Sequence, residues 1–221
     1  MKKIFLFAAA IAALTVNAAS FAGFDGRKGD LGTQIHDNNL IQDQVNVVLS
    51  ETDATAHKYS IQNKDAGEVS FTMGGITFKG SDQVAGKDIY KTYNTYIQPN
   101  GARRSVIIPT TANEKVRIYV QDAITIAVEG MVGGSSLDLV AWGEDKEAYT
   151  EITAKGQITL WSDDRADTPN AKKFKLGAIL PAENQAIDNV NAEVKSVKTF
   201  ENGQLVIIKN GVRYNALGAQ L

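Results

Sequence analysis

Alternating apolar and polar positions between Ser105 and Val128 carry the clearest structural signal in this chain. Val116, Ile118 and Val120 fall on one side of the alternation, and the positions between them are polar or aromatic. The pattern resumes at Ile124 and continues to the end of the stretch. Because successive side chains of a strand point to opposite faces, this period of two predicts consecutive half-buried strands.

The same period recurs from Tyr59 to Leu180, in short runs separated by polar loops and glycine-rich turns. Met73-Gly-Gly-Ile76 predicts a tight hairpin, because glycine readily adopts the positive φ angles of such a turn. Tyr90–Gln98 predicts a single aromatic strand. The three-and-four spacing of an amphipathic helix does not occur in this region. We therefore predict an all-β fold: a two-sheet antiparallel sandwich, jelly-roll-like, with a small C-terminal β-meander tail.

Changes in composition divide the chain into five segments. Phe24–Asn39 is rich in Gly and Asp without periodicity, so a loose N-terminal segment is expected, followed by one possible strand at Gln44–Leu49. Asn202-Gly203 and Asn210-Gly211 separate three apolar runs near the C-terminus, and Asn-Gly favours two-residue hairpin turns. The predicted boundaries are 1–19 for a signal peptide, 20–57 for the partly unstructured N-terminal segment, 58–181 for the β-sandwich, 182–193 for a linker and 194–221 for the tail.

The N-terminus has the composition of an export signal. Two lysines precede an apolar run, Ile4–Val16, and small residues follow it. This run is shorter than the roughly 20 apolar residues that a membrane-spanning helix needs. We therefore expect a secretory signal peptide, cleaved after Ala18 or Ala19 or alternatively after Ala22, and no membrane span.

Charge and cysteine content narrow the classes of partner and cofactor. The chain has 23 basic and 25 acidic residues, and loss of the two lysines of the signal peptide leaves 21 basic residues and a net charge of −4. A mildly acidic chain without a basic cluster attracts nucleic acid weakly, so no nucleic-acid partner is expected. The chain contains no cysteine, which excludes disulfides and thiolate metal sites.

Three stretches near the C-terminus carry a family resemblance: Ala186–Lys195 (AIDNVNAEVK), Glu201–Ile208 (ENGQLVII) and Asn210–Leu221 (NGVRYNALGAQL). With YNALGAQ looking like the closing motif, this segment resembles the sorting domains of exported Bacteroidetes proteins that use type IX (Por) secretion. It implies export across the outer membrane by the secretion machinery, followed by removal of the tail and attachment to the cell surface. If the tail is not an active sorting signal, the signal peptide alone implies a periplasmic location.

A second resemblance covers Ile76–Leu180. The strands in order are GITFKG, an aromatic strand, a VIIP strand, KVRIYV, QITLWS and FKLGAIL. This order is similar to that of the jelly-roll accessory modules, with carbohydrate-binding-module-like folds, attached to bacterial pectate lyases and other polysaccharide-degrading enzymes. Strand order rather than a sharp motif carries this resemblance, so it implies the fold more than an activity.

Few residues have the spacing of catalytic or metal-binding motifs. His36 and His57 are isolated in polar stretches and match no metal spacing, so we assign them no ligand role. The carboxylates of 144–147 lie in a charged turn and fit solvated surface groups better than a hydrolytic pair across a cleft. Arg103 and Arg104 are the adjacent basic pair available to a polysaccharide lyase. We therefore predict that the protein is not an enzyme.

The acidic loop after the QITLWS strand is the best candidate for a cation. Asp163, Asp164 and Asp167 offer three carboxylates, and calcium takes six to eight oxygen ligands. Arg165 adds a positive charge among them, and the spacing matches no calcium-loop motif. Structural calcium at this loop is the one cofactor hypothesis that the sequence supports.

Aromatic residues out of phase with the core positions suggest a carbohydrate site, because exposed rings stack on the apolar faces of sugars. Trp161 alternates against Ile158 and Leu160, and other rings oppose core positions in the same way. A plainer interpretation is that these rings pack beneath loops or against the tail. The candidate carbohydrate-binding residues are Trp161, Tyr119, Trp142, Arg117 and Tyr96.

These observations favour a secreted or cell-surface, non-catalytic β-sandwich protein that binds a polysaccharide or other glycan. An alternative is a structural or adhesin-like surface protein that contacts protein partners through a flat apolar patch. A small polysaccharide lyase or hydrolase is a third interpretation, which requires a cleft with paired carboxylates or a cation beside a basic residue.

Overall fold

The computed structural model describes residues 20–55, 57–165 and 169–182, together with three strands nearer the C-terminus. The expected signal peptide (1–19) and nearly all of the expected linker (182–193) lie outside the described residues. The chain divides into two units, Met1–Pro181 and Ala182–Leu221, and each has its own sheet.

The described part of the first unit contains one helix, α1 (Leu31–Asn38), and fourteen strands. The strands are β1 (Phe24–Asp25), β2 (Ile41–Val45), β3 (Val47–Asp53), β4 (Lys58–Asn63), β5 (Gly67–Met73), β6 (Ile76–Asp82), β7 (Asp88–Thr92), β8 (Ile97–Pro99), β9 (Ser105–Ile108), β10 (Lys115–Val120), β11 (Ile124–Met131), β12 (Ser136–Leu139), β13 (Thr150–Trp161) and β14 (Leu176–Pro181).

Backbone hydrogen bonds link these strands into one nearly closed antiparallel sheet. Its main path runs β2-β5-β6-β9-β13-β10-β14-β8-β7-β4-β3, and β1, β11 and β12 pair off this path. The two ends of the path, β2 and β3, are consecutive in the chain and are separated only by Asn46. The predicted all-β class is therefore confirmed, while the jelly-roll arrangement of two sheets stays a prediction.

The twelve-residue strand β13 holds two parts of this sheet together. Its first half, from Thr150 to Thr153, pairs with β10. Its last residues, from Ile158 to Trp161, pair with β9 and β11. Gly156 lies within this run, and the backbone continues through it as one strand. Side chains at the two ends of β13 thus lie in different parts of the sheet.

The core is built from the apolar positions that the period of two identifies. Val116 and Ile118 of β10 are fully buried, as the alternation predicts. Phe71 and Phe78 stack with 5.0 Å between ring centroids, and Tyr90 packs edge-on against both at 5.5 Å. The Tyr90 hydroxyl donates to backbone carbonyls 2.9 Å away, and burial raises the pKa of this phenol.

The N-terminal segment differs from the loose, partly unstructured stretch that we predicted for residues 20–57. It forms β1, α1, β2 and β3, and Phe21, Phe24, Leu31 and Ile35 are buried in the main core. Helix α1 is only eight residues long, and Leu31 and Ile35 are its two large buried residues. A helix with so few apolar positions leaves a weak periodic signal, which is why its sequence resembles a loop.

The second difference from the predicted fold concerns Tyr90–Gln98, which we predicted as a single strand. The chain forms β7 and β8 instead, joined by a tight turn in which the Tyr93 N–H donates to the Tyr96 carbonyl at 2.8 Å. Both Tyr93 and Tyr96 therefore lie in the turn rather than on a strand.

The second unit contains β15 (Ser196–Glu201), β16 (Gln204–Lys209) and β17 (Val212–Asn215), which pair antiparallel in chain order. This is the three-stranded meander that the two Asn-Gly pairs predict. Among the described residues of the whole chain, no helix has the length and apolar character needed to cross a membrane.

Candidate functional site

The outer surface of β10 and β14 carries most of the residues that the sequence marks as a carbohydrate site. In the register of these strands Tyr119 lies opposite Ala178, and Arg117 lies opposite Leu180 on one side and Glu151 on the other. Because Val116 and Ile118 of the same strand fill the core, Arg117 and Tyr119 face away from it.

Tyr119 and Trp142 are buried on this surface, which corrects the expectation of an exposed aromatic platform. Tyr119 is 5% exposed and Trp142 is 6% exposed, and both pack with Ala178 in a small cluster outside the main core. The segment after β12 returns to β10, where the Trp142 N–H donates to the Val120 carbonyl at 2.9 Å. Trp142 lies directly on Gly177, since a Cβ atom there would fall 2.0 Å from its ring.

Arg27 covers the Tyr119 ring. Its guanidinium carbon lies 3.8 Å from the ring centroid, which is cation–π geometry. The guanidinium also donates to both carboxylate oxygens of Asp25, at 2.9 and 2.7 Å. Burial alone raises the pKa of Asp25, but the hydrogen bonds from Arg27 outweigh it, so the pKa falls below its usual value. This fork fixes the guanidinium over Tyr119.

Tyr149 is the exposed ring of this surface. It is 39% exposed and packs tilted against Tyr119, with 5.4 Å between centroids. The Arg117 guanidinium lies 4.8 Å from the Tyr149 centroid and also bonds Glu151 at 3.4 Å. Hydrogen bonds from Lys115 and Arg117 lower the pKa of Glu151 against a smaller effect of burial. A phenol ring, a guanidinium and an ionised carboxylate therefore meet in contact with solvent.

Tyr96 borders the same surface. Its ring stacks on Tyr93 with 4.5 Å between centroids and packs against the Tyr119–Trp142 cluster. The Lys175 ammonium lies 5.6 Å from the Tyr96 centroid. Burial raises the pKa of the Tyr96 phenol, so it remains a neutral hydrogen-bonding group at neutral pH.

We call this surface the outer aromatic face. It unites four of the five predicted carbohydrate residues, and sequence reasoning missed two further members, Arg27 and Tyr149. Arg27 lies in the segment that the sequence presents as loose, and Tyr149 comes soon after a charged turn. Neither carries a local signal, because strand pairing alone brings them to Tyr119. The members of the outer aromatic face are Arg27, Tyr96, Arg117, Tyr119, Trp142 and Tyr149.

Trp161, the fifth predicted residue, lies elsewhere. It ends β13, ten positions beyond Glu151, which is about 33 Å of strand at 3.3 Å per residue. There it pairs with Ala127 and Ser105. The Arg165 guanidinium covers its ring at 3.7 Å, and among the described residues the buried indole N–H has no hydrogen-bond partner.

Concavities formed by the described residues offer space for a ligand. A pocket of about 290 Å³ lies beside the outer aromatic face and is lined by Arg27, Lys28 and residues 144–147. A more open depression of about 590 Å³ lies over β11 and β12, with Asp138 as its charged residue. The smaller pocket fits the predicted site better, because it shares Arg27 with the aromatic face and offers charges of both signs.

The acidic loop uses its carboxylates in internal hydrogen bonds. Asp163 is fully buried and accepts from the backbone N–H groups of Arg103 at 2.6 Å and Arg165 at 3.0 Å. Asp164 accepts from the backbone and side-chain amides of the residue six positions further along. Asp167 lies outside the described residues. Calcium binding by this loop stays a prediction.

The two histidines are not isolated, contrary to our expectation. The rings of His36 and His57 stack with 4.5 Å between centroids. His57 Nδ1 lies 2.9 Å from Glu51 Oε1, and His36 Nδ1 lies 2.6 Å from Asp37 Oδ1. Twenty-one positions separate the histidines in the sequence, so no short spacing motif reveals their contact.

Comparison with protein-family models, curated protein sequences and solved structures finds no match to this chain. Only the residues themselves therefore indicate a function.

Proposed function

We propose that the protein is a secreted or cell-surface, non-catalytic β-sandwich of jelly-roll-like topology that binds carbohydrate on its outer aromatic face. The observation that carries the proposal is the exposed Tyr149 ring, supported from below by Tyr119 and flanked by Arg117 and Glu151. A sugar ring stacks its apolar face on the phenol, while its hydroxyl groups bond the guanidinium and the carboxylate. Sites for small ligands combine apolar and aromatic surface with a few fixed polar groups in this way.

The buried members of the face have a supporting role in this proposal. Tyr119 and Trp142 hold the surface rings in position. The two hydrogen bonds from Arg27 to Asp25 hold the guanidinium over the Tyr119 ring. Binding on a preorganised surface loses little side-chain entropy, which favours affinity. The pocket of about 290 Å³ next to Arg27 offers room for a neighbouring sugar unit.

The place of action follows from the two ends of the chain. The proposed route is export by the signal peptide and then by the type IX machinery that the tail resembles, which puts the binding face outside the cell. Mass spectrometry of the protein isolated from separate cell-surface and periplasmic fractions tests this. A mature form that lacks the tail is expected, and an intact tail on a periplasmic protein contradicts the route.

The binding test compares the two ends of β13 on an array of plant and host polysaccharides. Tyr149→Ala is expected to weaken binding by roughly tenfold or more, as removal of a central aromatic contact does. Trp161→Ala is the matched control, since it removes an aromatic ring at the far end of β13, outside the outer aromatic face, and its binding should be unchanged. Loss of binding in Trp161→Ala alone moves the site to the other end of β13, and absence of binding to every glycan rejects the function. Release of reducing or unsaturated sugars by the wild-type protein rejects the non-catalytic assignment.

An adhesin-like function is the second candidate, and one observation favours it. Among the described strands β2 pairs only with β5 and β3 only with β4, and Val45 and Val48 on these strands are 60% and 41% exposed. Open strand edges with apolar side chains accept a strand from a partner protein. The adhesin-like function is favoured over carbohydrate binding if the protein binds a partner protein and no glycan, and if Val48→Lys abolishes that binding.

A further inference from the structure

The contact between the two histidines lies at a junction of three elements. His36 is in the last turn of α1, Glu51 is on β3, and His57 is in the turn before β4. Leu31 and Ile35 fix the helix in the core, and Asn39 ends it in a left-handed conformation with φ 50°. The position of α1 in the fold therefore places His36 next to the β3–β4 hairpin.

The hairpin positions the other two residues. Glu51 pairs with Tyr59 across β3 and β4, and the Tyr59 hydroxyl lies 3.3 Å from Glu51 Oε1. His57 has a positive φ of 44°, which is uncommon for a residue other than glycine. This conformation accompanies the 2.9 Å contact between the His57 ring and Glu51.

The two carboxylates of this cluster contact the histidines and no other charged side chain of the described residues. In the part of the chain that the structure describes, the only ion-pair partners of Glu51 and Asp37 are the two histidines; neither carboxylate pairs with a lysine or arginine. A single divalent cation can take one ligand atom from each imidazole and one from the Glu51 carboxylate.

The donor atoms match one class of ion. One ligand atom from each of His36, Glu51 and His57 lies within 4.8 Å of the others. Zinc binds two imidazoles and a carboxylate at about 2.0–2.2 Å, which corresponds to ligand atoms about 3.4 Å apart in a tetrahedron. The required contraction is a matter of side-chain rotation, and the His36 side chain is half exposed. Calcium and magnesium prefer all-oxygen sites and fit this set less well.

Asp37 completes the arrangement. Its carboxylate bonds Nδ1 of His36, which leaves Nε2 of that ring as the ligand atom. A carboxylate behind a ligating histidine fixes the tautomer and the orientation of the ring. We propose that His36, Glu51 and His57 bind a zinc ion that ties the end of α1 to the β3–β4 hairpin, with Asp37 orienting His36.

The test is a zinc titration of the metal-free mature protein, without a histidine tag, by calorimetry and by NMR of the imidazole protons. His36 and His57 are the only histidines of the chain, so both sets of ring signals report on this site alone. One zinc ion per chain is expected, with both histidines shifting together. Absence of binding, or binding that leaves the histidine signals unmoved, overturns the proposal without any variant.

Variants then separate ligands from neighbours. His57→Ala is expected to weaken zinc binding by more than about 100-fold, and Asp37→Asn by about tenfold, since outer carboxylates contribute less than direct ligands. Glu68→Gln removes an exposed carboxylate outside the cluster and serves as the matched control, with unchanged affinity. Zinc binding that survives in His57→Ala, with the variant folded by circular dichroism, contradicts the assignment. This site is independent of glycan binding, so either proposal can fail without the other.

Discussion

The two ends of β13 carry similar residues in different surroundings. At the first end Tyr149 and Glu151 join a layered cluster, in which Arg27 and Arg117 lie over rings that pack on one another. At the far end Trp161 has a single guanidinium above it, from Arg165. Both ends thus show an aromatic ring covered by arginine, but only the first builds a second apolar layer outside the main core.

The difference shows that outward direction on a strand does not determine exposure. Trp161 and Tyr119 both oppose core positions, yet Tyr119 is 5% exposed while Trp161 is half-buried. Segments distant in sequence cover Tyr119, because β1 brings Arg27 beside it and the region after β12 brings Trp142. The covering segments therefore bury Tyr119 and leave one ring of the outer aromatic face, Tyr149, in contact with solvent.

The largest expected effect on stability comes from removing the Tyr119 ring at the centre of the outer aromatic face. Tyr119→Ala should lower the free energy of unfolding by about 3 kcal/mol, as truncation of a buried aromatic side chain does. Trp161→Ala should cost about 1 kcal/mol, since that ring is half-buried and packs in no second layer. Urea unfolding measures both. Equal losses in the two variants would contradict the distinction between the ends of β13.

A smaller effect is expected from adding one methyl group beneath Trp142. Gly177→Ala places a Cβ atom 2.0 Å from the indole, and the overpacking should cost about 2 kcal/mol and shift the tryptophan fluorescence. Gly156→Ala on β13 is the matched control, because nothing lies within 4 Å of its Cβ position and its φ is not positive. We expect that control to change stability by less than about 1 kcal/mol. A neutral Gly177→Ala would mean that Trp142 does not lie on β14.

The sequence predicts the main core of this fold better than the outer aromatic face. Val116 and Ile118 can be identified because pleating imposes a period of two, and their burial follows from that geometry alone. Arg27 over Tyr119 has no such signature, since the contact depends on how β1 pairs with β14. The contact between His36 and His57 cannot be predicted from the sequence for the same reason. Their proximity results from a helix and a hairpin that meet in three dimensions.

The smallest effect concerns Glu151, which connects Lys115 and Arg117 at the first end of β13. Hydrogen bonds from these cations lower the pKa of Glu151 below its ordinary value of 4.5. A carboxylate with a lowered folded-state pKa stabilises the fold above its unfolded pKa, and this contribution is lost as the pH falls through the folded pKa. At neutral pH the contribution should be about 0.5 kcal/mol, because the side chains are partly exposed and screened by solvent.

Glu151→Gln should therefore be slightly less stable than the wild type at pH 7 and equally stable once the pH is well below 4.5. Added salt should shrink the difference at pH 7, because exposed ion pairs are screened. Glu68→Gln, which removes an exposed carboxylate on β5, is the control for the loss of one negative charge. The measurement is urea unfolding across this pH range at low and high salt. A difference between Glu151→Gln and the wild type that persists at low pH would show that Glu151 acts by packing, and Arg117 would then be held over Tyr149 by shape rather than by charge.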